Sequence, residues 1–383
     1  GSGLVGSEMC IRDSGNVTTL IAALVLGLKG SGTVKGFAQT LALGIVLSMF
    51  TALVITRMIL KALYAVGLKD EKFYGKAKDR KTVNFLAKKK IFFTISLVMI
   101  IGGFVCMGVN KGTSGTALNY SLDFVGGTST NVTFNEDMDL AALDSQVVPV
   151  IEKITKDANV QVQKVAGGNQ VIFKTRTLDV EERQALTEAL VENFGVNSDL
   201  ITAETISSTI SSEMRSDAIV AVVIAAICML LYIWFRFKDI RFATSSVAAL
   251  IHDVLVVLAF YAVARVSVGS TFIACMLTIV GYSINATIVI FDRIRENLGA
   301  MTKKDDLEQL VNRSISQTLS RSIFTSLTTF FMVAALFVLG VSSIREFALP
   351  LMVGIVCGTY SSVCITGALW YVLRTKIGTK KNK

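Results

Sequence analysis

Long apolar stretches constrain this sequence more than any other feature. A helix needs about 20 apolar residues to cross the ~30 Å hydrocarbon core of a bilayer. Seven stretches reach that length, and a shorter one at 17–28 has the composition of the end of an eighth span. The seven cover roughly residues 37–60, 91–109, 216–235, 242–264, 271–291, 322–340 and 347–372. The pattern predicts an α-helical polytopic membrane protein with about eight spans.

The distribution of charge predicts which segments face the cytoplasm. Only 17% of the residues are charged, against about 25% in typical soluble domains. The net charge of +9 is uneven: segment 61–90 carries ten Lys or Arg and 374–383 carries five, whereas 110–215 carries eight basic and fifteen acidic residues. If 61–90 is cytoplasmic, 110–215 lies outside and every basic cluster lies inside. Membrane lipid is therefore favoured over nucleic acid as a partner.

The segment 110–215 has the pattern of a small α+β domain. Four stretches typical of strands and two helical patterns follow one another in the order β-α-β-β-α-β, which is ferredoxin-like. Pro149 is expected to start or kink the first helix, and Gly195 to end the second. The expected strands cover 129–134, 160–163, 171–173 and 200–206. The apolar residues of the two helical patterns are Leu140, Leu143, Val147, Ile151, Ile154, Val180, Leu186, Leu190 and Phe194.

An internal repeat divides the membrane spans into two sets. Residues 16–56 align without gaps onto 326–366 at an offset of 310, with 12 identical pairs among 41. Both copies start and end on the same predicted side, so the repeat is parallel, about an axis along the membrane normal. The chain is therefore predicted to hold one half of a two-half transporter and the last two spans of the other half. Gly44 and Gly354, which the alignment pairs, are expected to allow close helix packing.

Ionisable groups inside a bilayer cost at least ~2.5–3.5 kcal/mol at the centre of a helix, so they are candidate functional groups. His252 and Asp253 lie near the middle of the 242–264 span. A histidine that titrates near neutrality beside a carboxylate suits proton transfer. Alternatively, the pair ties neighbouring helices together by hydrogen bonds. Ser283 and Asn285, at mid-depth in the next span, either line a hydrated path or join helices.

Two further charged sites lie at predicted membrane boundaries. Arg321 precedes the 322–340 span; it stays charged, so it can poise the pKa of a nearby carboxylate but cannot relay a proton. Its other interpretation is a side chain that extends to the cytoplasmic surface. Asp292 and Arg293 lie at the cytoplasmic end of the 271–291 span, where solvated charges are normal. A structural role is predicted for that cluster.

Motifs of soluble enzymes and metal sites are missing from the sequence. The six cysteines form no CxxC pair, and none lies in 110–215, so neither a disulfide framework nor a zinc site is expected. No GxxxxGK[ST], GxSxG, HExxH or GxGxxG motif occurs in a suitable context. We predict that the chain is not an enzyme and binds no metal and no cofactor.

Several separated motifs occur together in one order. Residues Tyr120 to Thr128, with Asp123-Phe124 and Gly126-Gly127, follow the 91–109 span; Ile251-His252-Asp253-Val254, Gly281 to Asn297 and Ser320-Arg321-Ser322 come later. These resemble the motifs of the SecF family, within the RND superfamily. Asp292 and Arg293 belong to the motif from Gly281 to Asn297. Residues 16–60 resemble the last two spans of SecD. The resemblance covers about residues 16–373.

This resemblance implies a role in bacterial protein export. It implies an auxiliary subunit in the cytoplasmic membrane that uses the ion-motive force. Its implied partners are the SecYEG channel, the missing part of SecD, a YajC-like accessory subunit and unfolded preproteins. An RND-type exporter of lipid or drug, or a translocon scaffold without ion coupling, is the alternative. The chain departs from the family at two positions, because Ala286 and Ser14 stand where the family carries carboxylates.

The resemblance also implies a domain organisation. Residues 4–14 resemble a translated sequencing adapter, so residues 1–14 are expected to be a non-native leader. The SecD-like pair of spans is expected at 15–65, a basic cytoplasmic linker at 66–90, the first SecF-like span at 91–109, the extracytoplasmic domain at 110–215, a five-span bundle at 216–373 and a basic cytoplasmic tail at 374–383.

Overall fold

The structure, a computed structural model, describes most of the chain in two compact units. One unit comprises Tyr120–Ile219 with Ser267–Ser270, and the other comprises the apolar remainder. The expected leader at 1–14, much of the linker at 66–90 and the last residues of the tail lie outside the described part. The described residues are 16–21, 23–25, 27–28, 32–68, 82–157, 160–165, 168–302, 305–340 and 342–378.

Seven helices in the described part are long and apolar enough to cross a membrane, and a shorter apolar helix, α1 (Asn16–Val25), precedes them. This confirms the predicted helical membrane fold. Two spans each contain a short π-helical turn. The spans are α2 (Gly32–Phe50) with α3 (Thr56–Ala65), α4 (Lys89–Ser114), α9 (Ser208–Phe237), α10 (Ile240–Ala264), α11 (Ser270–Gly299), α12 (Leu307–Leu339), and α13 (Ser342–Tyr360) with α14 (Gly367–Gly378).

Helix α11 forms the centre of the membrane unit. Its most apolar window is 72% buried, whereas that of the first span is only 6% buried. An aromatic cluster joins α11 to its neighbours: Phe242 of α10 stacks on Trp370 of α14 at 4.9 Å and meets Phe291 of α11 edge-on at 4.7 Å. Because such contacts add to the burial of large apolar surfaces, they fix these three helices against one another.

The internal repeat is present in the backbone as well as in the sequence. The π-helical turns cover Thr51–Ile55 and Ser361–Thr366, and the offset of 310 carries 51 onto 361 and 55 onto 365. A threonine at the end of each turn donates its hydroxyl to the carbonyl five residues earlier. Thr56, directly after the first turn, donates to Thr51 at 3.1 Å, and Thr366, the last residue of the second turn, donates to Ser361 at 3.0 Å. The two copies therefore share one local distortion, as a structural repeat requires.

Helix α12 is longer than predicted because its polar N-terminal part holds the segment before α4. Asn312, which is 4% exposed, accepts hydrogen bonds from the backbone N–H groups of Phe85 and Leu86 at 2.9 and 3.1 Å. Its amide donates to Asn84 at 2.9 Å. The sequence predicted a span from residue 322, but the helix begins at Leu307, since these contacts pair the polar groups that precede the apolar run.

The soluble unit contains a four-stranded antiparallel sheet, whose strands from one edge to the other are Gln161–Lys164, Gln170–Thr175, Gly127–Thr133 and Ile201–Ile206. Along the chain its elements alternate β-α-β-β-α-β, which is the predicted ferredoxin-like order. Its elements are α5 (Leu122–Val125), β2 (Gly127–Thr133), α6 (Leu140–Ala142), α7 (Val148–Thr155), β3 (Gln161–Lys164), β4 (Gln170–Thr175), α8 (Val180–Phe194) and β5 (Ile201–Ile206). The two-residue strands β1 (Asn119–Tyr120) and β6 (Ser267–Val268) form a separate sheet.

The helices of the soluble unit cover one face of its sheet. Pro149 lies in the first turn of α7, after a π-helical turn, so it starts this helix as predicted. Helix α8 ends at Gly195, whose φ of 63° suits glycine. Val180 begins this helix but is 67% exposed, because it lies in the first turn, before the buried face begins. The core is Val132, Phe134, Leu143, Val147, Ile151, Val171, Phe173, Leu178, Leu186, Leu190 and Val196.

Candidate ion-coupling site

Asp253 lies fully buried in the middle of α10, with 0% of its surface exposed. One carboxylate oxygen, Oδ2, accepts hydrogen bonds from the hydroxyls of Ser283 and Ser361 at 2.5 and 2.8 Å. The other, Oδ1, lies 3.0 Å from Nδ1 of His252 and 3.4 Å from Sγ of Cys357. Four donors from α10, α11 and the last span therefore surround one carboxylate, which satisfies it in the ionised form.

His252 completes this cluster with one ring nitrogen and leaves the other without a partner. Its Nδ1 faces Asp253, whereas the buried Nε2 has no hydrogen-bond partner among the described residues. With hydrogen on Nδ1, the ring donates to the carboxylate. In that tautomer Nε2 is a vacant proton acceptor beside the carboxylate. The pair can therefore hold a proton at either of two adjacent positions.

Small residues bring the last span close enough to reach Asp253. A Cβ atom on Gly358 would lie 3.0 Å from Cβ of Ser283, and one on Gly354 would collide with Ile279 of α11. The predicted packing role of Gly354 agrees with this contact. Its repeat partner Gly44 has open space around it in the described part of the chain. Close packing of α13 on α11 places Cys357 and Ser361 beside the carboxylate.

Hydroxyl groups continue from the carboxylate along the contact between α11 and the π-helical turn. Ser362 donates to the carbonyl of Ser283 at 3.2 Å and lies 3.1 Å from the hydroxyl of Thr287. These three side chains are at most 2% exposed. Ser362 contacts the backbone carbonyl of Ser283 and not its hydroxyl, so the hydroxyl that binds Asp253 is not hydrogen-bonded to the next hydroxyl. These contacts join the helices, which is one of the two roles expected for Ser283.

The structure does not bring all the predicted coupling residues together. Asn285 is half-buried on another side of α11 from Ser283, and its amide has no hydrogen-bond partner among the described residues. Arg321 is exposed on α12 and makes no ion pair within the described part of the chain. Only Asp253, His252 and Ser283 of the predicted set form one cluster. Arg321 lies on a face that the described residues do not cover.

The charges at the end of α11 are less solvated than predicted. Asp292 is 4% exposed and forms ion pairs with Arg236 at 3.2 Å and Arg295 at 2.9 Å. Arg293 is half-buried; it pairs with Glu296 at 2.7 Å and donates to Gln317 of α12 at 2.6 Å. The expectation of a solvated cluster was therefore wrong for Asp292. A buried carboxylate between two guanidinium groups instead fixes α9 against α11.

The Asp-Phe-x-Gly-Gly motif forms a tight turn into the first strand of the soluble unit. Phe124 is buried in the single helical turn α5. Gly126 and Gly127 have φ angles of 79° and 125°, which side-chain-bearing residues rarely adopt. A Cβ atom on Gly127 would collide with the carbonyl of Thr175. The glycines are thus required by the backbone, and the motif positions a strand.

Two members of the Asp253 cluster were missed at the level of sequence. Cys357 and Ser361 lie 104 and 108 positions from Asp253, and nothing in their local spacing points to it. The prediction of no metal site rested on the spacing of cysteines along the sequence, and this spacing does not reveal contacts between distant residues. The adjacent polar pair Ser361-Ser362 inside an apolar span was a usable indication, because buried hydroxyls need partners.

Fold and site together define a multi-pass membrane protein with a ferredoxin-like soluble unit and a buried carboxylate cluster. Residues 186–376 match the family described as "Protein export membrane protein SecD/SecF, C-terminal". The chain is 36% identical over 292 residues to protein translocase subunit SecF of Sebaldella termitidis, covering 76% of this chain and 92% of that protein. The chain therefore belongs to the SecD/SecF family of protein-export membrane proteins.

Longer relatives match along nearly the whole chain. Protein translocase subunit SecDF of Bacillus subtilis is 33% identical over 379 residues, which cover 93% of this chain and 49% of that protein. The crystal structure of SecDF from Thermus thermophilus, described as a translocon-associated membrane protein, matches with a TM-score of 0.81 at 32% identity. That match covers 97% of this chain and 49% of the SecDF chain. The chain thus spans about half the length of the SecDF relatives.

Proposed function

We propose that this chain is the SecF part of a SecDF protein, an auxiliary subunit of the Sec protein translocase that uses the ion-motive force to assist preprotein export. The observation that carries the proposal is the buried Asp253 with donors from three helical elements. Ionisable groups at such positions in membrane spans are rare and generally functional. A proton relay explains why an apolar span keeps this carboxylate and the adjacent histidine.

Proton exchange at Asp253 changes how three spans are held together. The ionised carboxylate accepts hydrogen bonds from Ser283, Ser361 and Cys357, and charge-assisted bonds of this kind are roughly twice as strong as neutral ones. The protonated form donates one bond and accepts weaker ones. Ser361 then has an alternative acceptor, the carbonyl of Gly358 at 3.2 Å. Loading and release of a proton therefore alter the free energy of contact between α10 and the last span.

The proposal places the ferredoxin-like unit outside a bacterial inner membrane, where it contacts unfolded preproteins. The excess of acidic over basic residues in 110–215 and the basic segments 61–90 and 374–383 support this orientation. The proposed partners are the SecYEG channel, the SecD portion of the longer relatives and a YajC-like accessory subunit. The SecD portion would cover the exposed face of α12 that carries Arg321.

Export driven by a proton gradient tests the proposal. In the full-length protein, Asp253→Asn is expected to abolish the gradient-dependent part of preprotein release from membrane vesicles, because an amide cannot exchange a proton. Asp217→Asn, which changes a half-buried carboxylate near the start of α9, is the matched control and should retain it. If Asp253→Asn keeps full gradient dependence, the chain is a translocon scaffold without ion coupling. Gradient-driven transport of a lipid or drug instead of preprotein release would favour an RND-type exporter.

A further inference from the structure

Three side chains of different chemistry converge in the middle of the membrane unit. A ring nitrogen of His252, one carboxylate oxygen of Asp253 and Sγ of Cys357 lie within 4.8 Å of one another. The carboxylate oxygen is 3.0 Å from the nitrogen and 3.4 Å from the sulfur. Ligand atoms of a four-coordinate metal ion are separated by similar distances, since each lies about 2.0–2.3 Å from the metal. The three atoms therefore need little movement to share one ion.

We infer that His252, Asp253 and Cys357 form a binding site for a soft divalent cation of the Zn²⁺ or Cd²⁺ type. Imidazole, thiolate and carboxylate are the ligands that these ions prefer, whereas Na⁺ and Mg²⁺ prefer oxygen alone. This inference goes beyond the coupling proposal and does not depend on it. It assigns to the cluster a ligand other than the transported ion.

Charge balance favours a divalent ion at this depth. A thiolate and a carboxylate together carry two negative charges, and the imidazole is neutral, so a divalent cation gives a neutral complex. A net charge in an apolar interior is costly, so a site in which Cys357 ligates as a thiolate favours a divalent ion over a monovalent one. Binding replaces the proton of the Cys357 thiol, which leaves to solvent, and any proton held by Asp253. The imidazole binds through Nδ1 with its hydrogen moved to Nε2, so the bond to the metal replaces the hydrogen bond between Nδ1 and Asp253.

Occupancy by such an ion would fix α10 against the last span. His252 and Asp253 belong to α10, and Cys357 belongs to α13, so the ion would join these helices by direct bonds. The same ion would occupy the carboxylate oxygen that faces the histidine. The site is therefore inhibitory for any process that needs Asp253 to exchange protons or α10 to move.

Cadmium titration of the purified full-length protein tests the site without measuring export. A cadmium–thiolate bond gives an ultraviolet charge-transfer band that reports thiolate ligation directly. Cys357→Ser is expected to remove the band of the high-affinity site, whereas Cys364→Ser, on the same span and half-buried, should retain it. Asp253→Asn and His252→Gln keep the thiol. Each is expected to lower the cadmium affinity at least about tenfold, since even indirect partners of a metal contribute that much.

Several outcomes would overturn the inference. An unchanged band in Cys357→Ser would place the bound cadmium elsewhere. Loss of affinity confined to cysteine variants, with Asp253→Asn and His252→Gln at wild-type affinity, would indicate ordinary thiol binding. Thermal unfolding of each variant shows whether the fold is retained, and the Asp253 and His252 variants decide the question if Cys357→Ser fails to fold. If gradient-driven export fails, the conclusion on cadmium binding still stands, because the titration measures cadmium binding without export.

Discussion

At the scale of single residues, Asp253 and Asp292 show how burial alone fails to define a role. Both carboxylates are at most 4% exposed. Asp292 lies between two guanidinium groups, which stay charged and offer it only donors in one arrangement. Asp253 has hydroxyls, a thiol and an imidazole, each of which can change its hydrogen arrangement. Only the second environment suits a group that alternates between two protonation states.

A glycine of the soluble unit supplies a prediction at the same scale. Gly127→Ala is expected to destabilise this unit by about 2 kcal/mol or more, because φ is 125° and a Cβ atom would collide with the carbonyl of Thr175. Gly168→Ala is the control, since its nearest neighbour would be 4.0 Å from the added atom. Pulse proteolysis in increasing urea measures both variants in the intact protein. Equal resistance of the two would show that the turn relaxes.

At the scale of elements, the stability of the N-terminus of α8 depends on pH. Asp179 and Glu182 form a capping box, and Arg176 adds an ion pair to Glu182. The hydrogen bond from Arg176, followed by that from the backbone of Asp179, lowers the pKa of the Glu182 carboxyl from its ordinary value of 4.5. A lowered folded-state pKa stabilises the fold above the unfolded value, and that stabilisation is lost as the pH falls through the lowered value.

The corresponding prediction concerns acid sensitivity. Glu182→Gln keeps the reciprocal hydrogen bond of the capping box but removes the charge. Its destabilising effect on the soluble unit should be present near neutrality and should shrink towards zero as the pH falls from 4.5 through the lowered pKa of Glu182. Hydrogen exchange of the first turn of α8 measures this difference. Glu188→Gln, at an exposed position on the same helix, is the control, and an identical pH profile for both variants would contradict the account.

The π-helical turn of the last span gives a second prediction for an element. A π-helix holds one residue more per turn than an α-helix. Deleting Cys364 from Ser361–Thr366 should therefore leave a regular helix with both flanks in place, including the stacked Trp370. Deleting Met352 from the regular part of α13 should rotate Cys357 and Ser361 by about 100° away from Asp253. The unfolding temperature should be near that of the wild type for the Cys364 deletion and much lower for the Met352 deletion. The reverse order would contradict the assignment of the π-helical turn.

At the scale of the whole molecule, the elements could be predicted from sequence because each follows from a local period. Runs of about 20 apolar residues gave the spans, and alternating residues gave the strands of the soluble unit. The repeat at an offset of 310 gave the relation between the first and last described spans, which their π-helical turns confirm. The early start of α12 was missed, since polar residues that pair with another segment carry no apolar period.

The candidate site could be predicted only in part, for a physical reason. His252, Asp253 and Ser283 stand out because polar groups are costly in apolar spans. Cys357 and Ser361 reach Asp253 only through the packing of α13 on α11, which depends on Gly358 and on the backbone turn after it. The burial of Asp292 likewise could not be predicted without the position of the guanidinium group of Arg236. Contacts between helices that are distant in sequence depend on how the helices pack, and local patterns in a single sequence do not predict this packing.

The central claim is that Asp253 exchanges the ion that drives export. Proton flux tests it most directly: the full-length protein is reconstituted in vesicles with a pH-sensitive dye inside, a pH gradient is imposed, and wild type is compared with Asp253→Asn and Asp217→Asn. Wild type and Asp217→Asn should dissipate the gradient at equal rates, and Asp253→Asn should fall to the rate of empty vesicles. Flux through Asp253→Asn at the wild-type rate would contradict the account.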